Sequence, residues 1–175
     1  MMRTRRFTPD EWRLYRELRL GALAESPDAF GSVLEIEAAR PDETWRQRLA
    51  AGATSARDLP LVALVDERPA GLCWARIDEA DPEIIHVYQF WVVPAERGKG
   101  VGEQLGRACI EWARAVGARE LVLGVTTVNE PAVGLYRKLG FVSTGALQAL
   151  RPGSALQSET MRLDLARPRP GASDE

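Results

Sequence analysis

One histidine and two cysteines in 175 residues leave little from which to build a metal centre or a disulfide framework. No pair of His, Cys or carboxylate residues stands at metal-ligand spacing, so the sequence predicts no metal. Cys73 and Cys109 sit in an apparent strand and an apparent helix among apolar neighbours, which predicts two buried thiols rather than a bridge. Basic residues are not in surplus: 23 Lys and Arg against 25 Asp and Glu give a net charge of −2, which argues against a nucleic-acid partner. No apolar run approaches membrane-span length, and the Arg-rich start from Met1 to Arg6 lacks the apolar core of a signal peptide. The expected location is therefore cytoplasmic, with no membrane partner. Two nucleotide-binding loops are also missing. There is no G-x-x-x-x-G-K-[S/T], and the glycines at 98, 100 and 102 do not fit G-x-G-x-x-G because position 103 is Glu.

What is present suits one soluble domain. A hydrophobic fraction of 45% with 27% charged residues is ordinary for a globular chain long enough to bury a core. The domain is expected over residues 1–166. Arg167 to Glu175, polar and rich in proline, is expected to be a disordered tail.

A short strand is expected near Arg3 to Phe7. Thr8-Pro9-Asp10-Glu11 then has the form of a capping box, which predicts a helix from about Pro9 to Ala24 with Leu14, Tyr15, Leu18 and Ala22 on its apolar face. Ser26-Pro27-Asp28 breaks it. A second helical region, about Val33 to Leu49, is interrupted at Pro41. Leu61–Val65 and Ala70–Ile77 read as strands joined through Asp66-Glu67-Arg68-Pro69, and Ile84–Val93 as a longer one. Val101, Leu105, Cys109 and Trp112 give the next helix, ended by Gly117. Leu121–Val125 reads as a strand, Asn129 as the N-cap of a helix that Gly140 stops, and Phe141–Leu147 and Glu159–Leu165 as the last strands.

The stretch Val92-Val93-Pro94-Ala95-Glu96-Arg97-Gly98-Lys99-Gly100-Val101-Gly102 leads from a strand into a helix and reads as an anion cradle. Alternating glycines let backbone N–H groups converge where the helix dipole favours negative charge, and a diphosphate suits such a site. Arg97 and Lys99 are either charge partners for that phosphate or a solvated surface pair.

The pattern Arg97-Gly98-Lys99-Gly100-Val101-Gly102 resembles the [Q/R]-x-x-G-x-[G/A] signature of the GCN5-related N-acetyltransferase (GNAT) superfamily. Asn129 followed by Leu135-Tyr136 and Gly140-Phe141 resembles that superfamily's second element, in the expected order. The resemblance covers about residues 3 to 165. It implies an α/β (α+β) GNAT fold, a mixed, mostly antiparallel sheet of about seven strands flanked by about four helices. It also implies an enzyme that transfers acetyl from acetyl-CoA to a primary amine by direct attack in a ternary complex, with a homodimer as a family-level expectation.

The resemblance further implies roles. The loop from Arg97 to Gly102 would hold the pyrophosphate, and Trp91, Val92 and Val93 would bind the pantetheine arm through main chain, one amide facing the thioester oxygen. Asn129 would contact the same arm, although an N-cap also explains it. Tyr136 would protonate the departing thiolate, since a phenol of pKa about 10 stays protonated at neutral pH; on the helical stripe of Ala132, Leu135 and Leu139 it could instead simply pack. Some members place a basic Glu on the strand before Asn129, where this chain has Gly124. Glu83 and His86 are the remaining candidates for a base, with Gln89 able to orient water. Phe30 and Glu35, in a segment resembling small-molecule GNAT enzymes, are candidates for the acceptor pocket. The expected acceptor is a small-molecule amine; a protein amino terminus or lysine, or a sensor that binds acyl-CoA without turnover, are the alternatives.

Overall fold

The structure, a computed structural model, describes residues 1–166. The expected tail, 167–175, lies outside the described residues. Seven strands form one sheet: β1 (Met2–Arg6), β2 (Asp58–Val65), β3 (Arg68–Ile77), β4 (Ile84–Val92), β5 (Glu120–Thr126), β6 (Val142–Ala149) and β7 (Gln157–Asp164). Their order is β1-β2-β3-β4-β5-β7-β6. Every neighbouring pair is antiparallel except β4 with β5. The helices are α1 (Trp12–Glu25), α2 (Leu34–Ala38), α3 (Asp42–Thr54), α4 (Val101–Ala115) and α5 (Glu130–Leu139). The expected four become five because the second helical region divides before Pro41, which stands as N-cap of α3.

Both faces of the sheet are covered, so its central strands read as near-continuous apolar runs. Along β2, Leu59, Leu61 and Ala63 turn toward the core that α4 and α5 complete, while Val62 and Leu64 turn toward α1 and α3. The period of two repeats on β3, with Cys73 and Ala75 on the first face and Leu72 and Trp74 on the second. The second core is aromatic: Tyr15 meets Phe7, Trp45 and Trp74 at ring distances of 5.5–5.7 Å.

The start of α1 departs from expectation. Glu11 accepts from the Thr8 backbone N–H at 2.8 Å, as a capping box requires. The Thr8 hydroxyl, however, is turned to Asp10, so residues 9–11 form a turn and regular helix begins at Trp12. The two thiols are buried and free, with sulfurs 3.4 Å apart.

Two irregularities in β4 shape the functional end of the sheet. Its ladder with β3 slips between Leu72 and Trp74, and opposite that slip Gln89 has φ of 55°. This β-bulge bends β4 away from its neighbour. On the other side, β4 pairs with β5 only at Ile84, Ile85 and His86. Beyond His86 the two strands part, and a cleft opens between them.

Candidate active site

The cleft measures about 1040 Å³. Its walls are the later residues of β4, the end of β5, the glycine loop with the start of α4, one side of α5, and the segment after α1.

At the loop, Gly98 and Gly100 have φ of 74° and 92°, a region costly for any residue with a Cβ, and Gly100 is the N-cap of α4. No side chain caps this helix. The first helical bond runs from Gln104 N–H to Gly100 C=O at 3.0 Å, which leaves the N–H groups of Val101, Gly102 and Glu103 without intrahelical acceptors. Open amides, the positive end of a 15-residue helix and a cleft wall coincide here. Gly102 has a packing role as well, since a Cβ there would stand 2.8 Å from Leu135 of α5.

The strand edge is more selective than expected. The Val93 N–H is spent on Ala70 C=O at 2.8 Å, within the ladder to β3. Backbone groups alternate along a strand, so those of Val92 face the opposite side, where β5 has withdrawn. Of the three residues expected to act through main chain, Val92 alone thus offers an amide to the cleft, and Val93 is absent from its lining. Trp91 lines the cleft, but its indole N–H goes to Glu25 at 2.9 Å.

The two loop cations have other work. Arg97 donates from Nη2 and Nη1 to Glu25 at 2.7 and 3.2 Å, and from Nε to Val92 C=O at 3.0 Å. It fastens the end of α1 to the end of β4. The Glu25 carboxyl is held down to about 2, chiefly by this guanidinium. Lys99 pairs with Glu96 at 3.2 Å and is not on the cleft wall. Lys138, two positions past Tyr136, is on that wall and pairs with Glu103 at 2.7 Å.

Tyr136 lines the cleft from α5, 7% exposed. Its ring meets Phe90 and Phe141 edge-on at 5.5 and 6.0 Å. Among the described residues no hydrogen bond acts on its hydroxyl. Burial, then the nearby Cys73 and Cys109, push its pKa above the ordinary phenol value. Asn129 is also on the wall, where its side chain accepts from Ala132 N–H at 3.3 Å as the N-cap of α5.

Glu83 and His86 are not brought to the cleft. His86 is in the short ladder with β5, at the far end of β4 from the glycine loop, and its Nε2 lies 2.7 Å from Asp78. Glu83 pairs with Arg119 at 2.6 Å beside the same end. Where the strands remain paired no cleft exists, so neither side chain can face it. Gln89 does reach the wall, with its Oε1 accepting from the Tyr15 hydroxyl at 2.7 Å. Gly124 and Ser158 stand opposite, close enough that a Cβ on Gly124 would lie 2.9 Å from the serine oxygen.

Phe30 lines the cleft and is buried, whereas Glu35, the other residue expected at the acceptor pocket, is exposed on α2. The segment carrying Phe30 is pinned from both flanks: Thr126 donates to Asp28 C=O at 2.6 Å, and Arg151 to Phe30 C=O at 2.7 Å. Sequence reasoning missed Glu25 and Lys138. Their places beside the cleft arise from contacts across the fold, and only Lys138, within the second motif, carried a local signal.

A sheet split beside one parallel pair, with an uncapped helix start at the mouth of the split, is the architecture of this site. Residues 21–141 match the acetyltransferase (GNAT) family, and the chain belongs to it. It is 46% identical over 68 residues to streptothricin acetyltransferase of Streptomyces lavendulae, a match covering 39% of this chain. The chain spans only 36% of that relative's length. It is 29% identical over 133 residues to the L-methionine sulfoximine/L-methionine sulfone acetyltransferase of Pseudomonas paraeruginosa, covering 73% of this chain and 76% of that one. In fold it is similar to yncA of Salmonella typhimurium, solved with its cofactor acetyl-CoA, with a TM-score of 0.78, 20% identity, and 100% and 98% of the two chains covered.

Proposed function

We propose that this chain is an N-acetyltransferase that moves acetyl from acetyl-CoA to the primary amine of a small molecule, by direct attack in a ternary complex. The observation that carries this reading is the split between β4 and β5, with Val92, the uncapped start of α4 and Tyr136 around one cleft. Both relatives named above carry small-molecule acceptors in their names, and the segment around Phe30 is pinned at the cleft wall, which suits such a substrate better than a protein chain.

The residues present fit acetyl-CoA. The amides of Val101, Gly102 and Glu103 would hold its diphosphate, and Val92 and Asn129 would meet its arm. When bound, acetyl-CoA supplies an activated acyl group whose C–S bond breaks as the C–N bond forms. The Val92 N–H stabilises charge building on the acyl oxygen, an effect of roughly 3–4 kcal/mol for one such donor elsewhere. Tyr136 gives its proton to the departing sulfur and, with its pKa raised, stays protonated until that moment. The amine's own proton passes to water held by Gln89 and Ser158, since among the described residues no carboxylate or imidazole lines the acceptor end. A route through a cysteine nucleophile is disfavoured, because burial pushes the Cys73 thiol well up and keeps it from forming the reactive thiolate.

Titrating acetyl-CoA by calorimetry, followed by thiol release against a panel of amines, amino acids and peptides, tests the reading. Binding with amine-dependent release of coenzyme A is expected. Binding without release for any acceptor would instead favour a sensor, and peptide-only turnover a protein acceptor.

A further inference from the structure

Arg19 is a charge without a counterpart. It lies on the inner face of α1, 4% exposed, and lines the cleft. Its Nε and Nη1 are buried without a hydrogen-bond partner, and among the described residues it enters no ion pair. Glu37, an acid whose charge bears on it, is already taken: its two oxygens accept from Arg40 at 3.0 Å and Arg48 at 3.1 Å. Those two guanidiniums take both oxygens of Glu37, and Arg19 faces the cleft without one. The ring of Phe30 lies 4.7 Å from its guanidinium and fixes its position at the acceptor end. A charge so nearly buried is costly unless something pairs with it.

We infer that Arg19 receives a carboxylate of the acceptor, so that the substrate is an amine bearing a carboxylate, of the amino-acid class. This rests on the acetyl-transfer reading above. The planar fork of a guanidinium matches a carboxylate through two parallel hydrogen bonds. A monoanion suits the site better than a phosphate dianion, because the other cations on the wall are engaged, Arg97 with Glu25 and Lys138 with Glu103. With the carboxylate on Arg19, the amine is left to point toward Val92 and Gln89. The guanidinium would then act as a specificity residue, rejecting neutral amines because they leave it unpaired.

The test compares L-methionine sulfone and the common L-amino acids with their C-terminal amides. Binding to the coenzyme A complex is read by calorimetry, and kcat/KM by thiol release. At least one carboxylate should outperform its amide by about 10²-fold, the effect of removing one partner from a buried charge pair. Arg19→Gln should collapse that ratio toward one, and Arg19→Lys should keep part of it. Acetyl-CoA affinity, measured on each variant, reports whether it has folded. A panel in which no carboxylate is preferred over its amide overturns the inference, as does an Arg19→Gln variant that folds and keeps the full ratio. Loss of acetyl-CoA binding by the unaltered protein would instead overturn the underlying transfer reading.

Discussion

At the scale of single residues, Tyr136 offers the sharpest separation between chemistry and packing. Its ring is wedged between Phe90 and Phe141, and phenylalanine would keep both edge contacts. No hydrogen bond from a described residue acts on its hydroxyl, so removing it orphans no partner. Tyr136→Phe should therefore leave stability and acetyl-CoA affinity near their original values while lowering kcat by about 10²–10⁴-fold, the range for a positioned general acid. Unchanged kcat in a thiol-release assay would mean that the tyrosine only packs. Glu25 gives a second residue-level expectation, this time in pH. Its carboxyl sits at about 2, below the unfolded value of about 4.3, so its share of stability is complete above that value and drains away as pH falls toward 2. The side chain is 36% exposed, so salt screens part of the effect. Urea melts between pH 5 and 2.5 should show a shallower loss in Glu25→Gln than in the unaltered protein; parallel slopes would show that the Arg97 clamp does not contribute.

Among elements, the pairing of β3 with β4 controls the cleft. Gly71 lies opposite Val92, and a Cβ there would come within 2.6 Å of the Trp91 carbonyl oxygen and 3.3 Å of the Val92 Cα. These are backbone atoms and cannot rotate aside. Gly71→Ala should cost roughly 1–3 kcal/mol by denaturant melt, the usual penalty for overpacking, and should weaken acetyl-CoA binding by displacing the Val92 amide. Equal stability in the two proteins would show that β4 yields there freely. Element identity was legible in the sequence wherever turn chemistry is local. Asn129 and Gly140 bracket α5 as expected, and the tight turn between β2 and β3 falls at Asp66 and Glu67, both at positive φ. The bulge at Gln89 and the short β4–β5 ladder were not legible. Both depend on the register between strands far apart in sequence, and Gln89 is an unusual residue to find at φ of 55°.

In the whole molecule, the same distinction separates the parts of the site that could be read in advance from those that could not. Gly100, Asn129 and Tyr136 announce themselves within short motifs, and all three line the cleft. Arg97 stands in such a motif too, yet its partner Glu25 is 72 residues away, so its clamping role emerges only once α1 is laid beside β4. Arg19 has no local signature, because an arginine on a helix becomes informative only when burial strips it of partners. The fold carries a consequence of its own. Only three residue pairs join β4 to β5, so the part of the sheet bearing α1–α3 is tied to β5–β7 by a short ladder and the helices that span it. A ligand seated along the split touches both sides and is bound only when they are correctly placed, so acetyl-CoA should stabilise the fold as one unit. At 100 times its dissociation constant the gain is about 2.7 kcal/mol. For a chain of this size that corresponds to a rise in Tm of roughly 5–10 °C. A thermal melt with and without acetyl-CoA measures it, with adenosine as a control that lacks the arm and the diphosphate and should give a far smaller shift. An equal shift from both ligands would place the binding energy outside the split and remove the cleft from the function proposed for it.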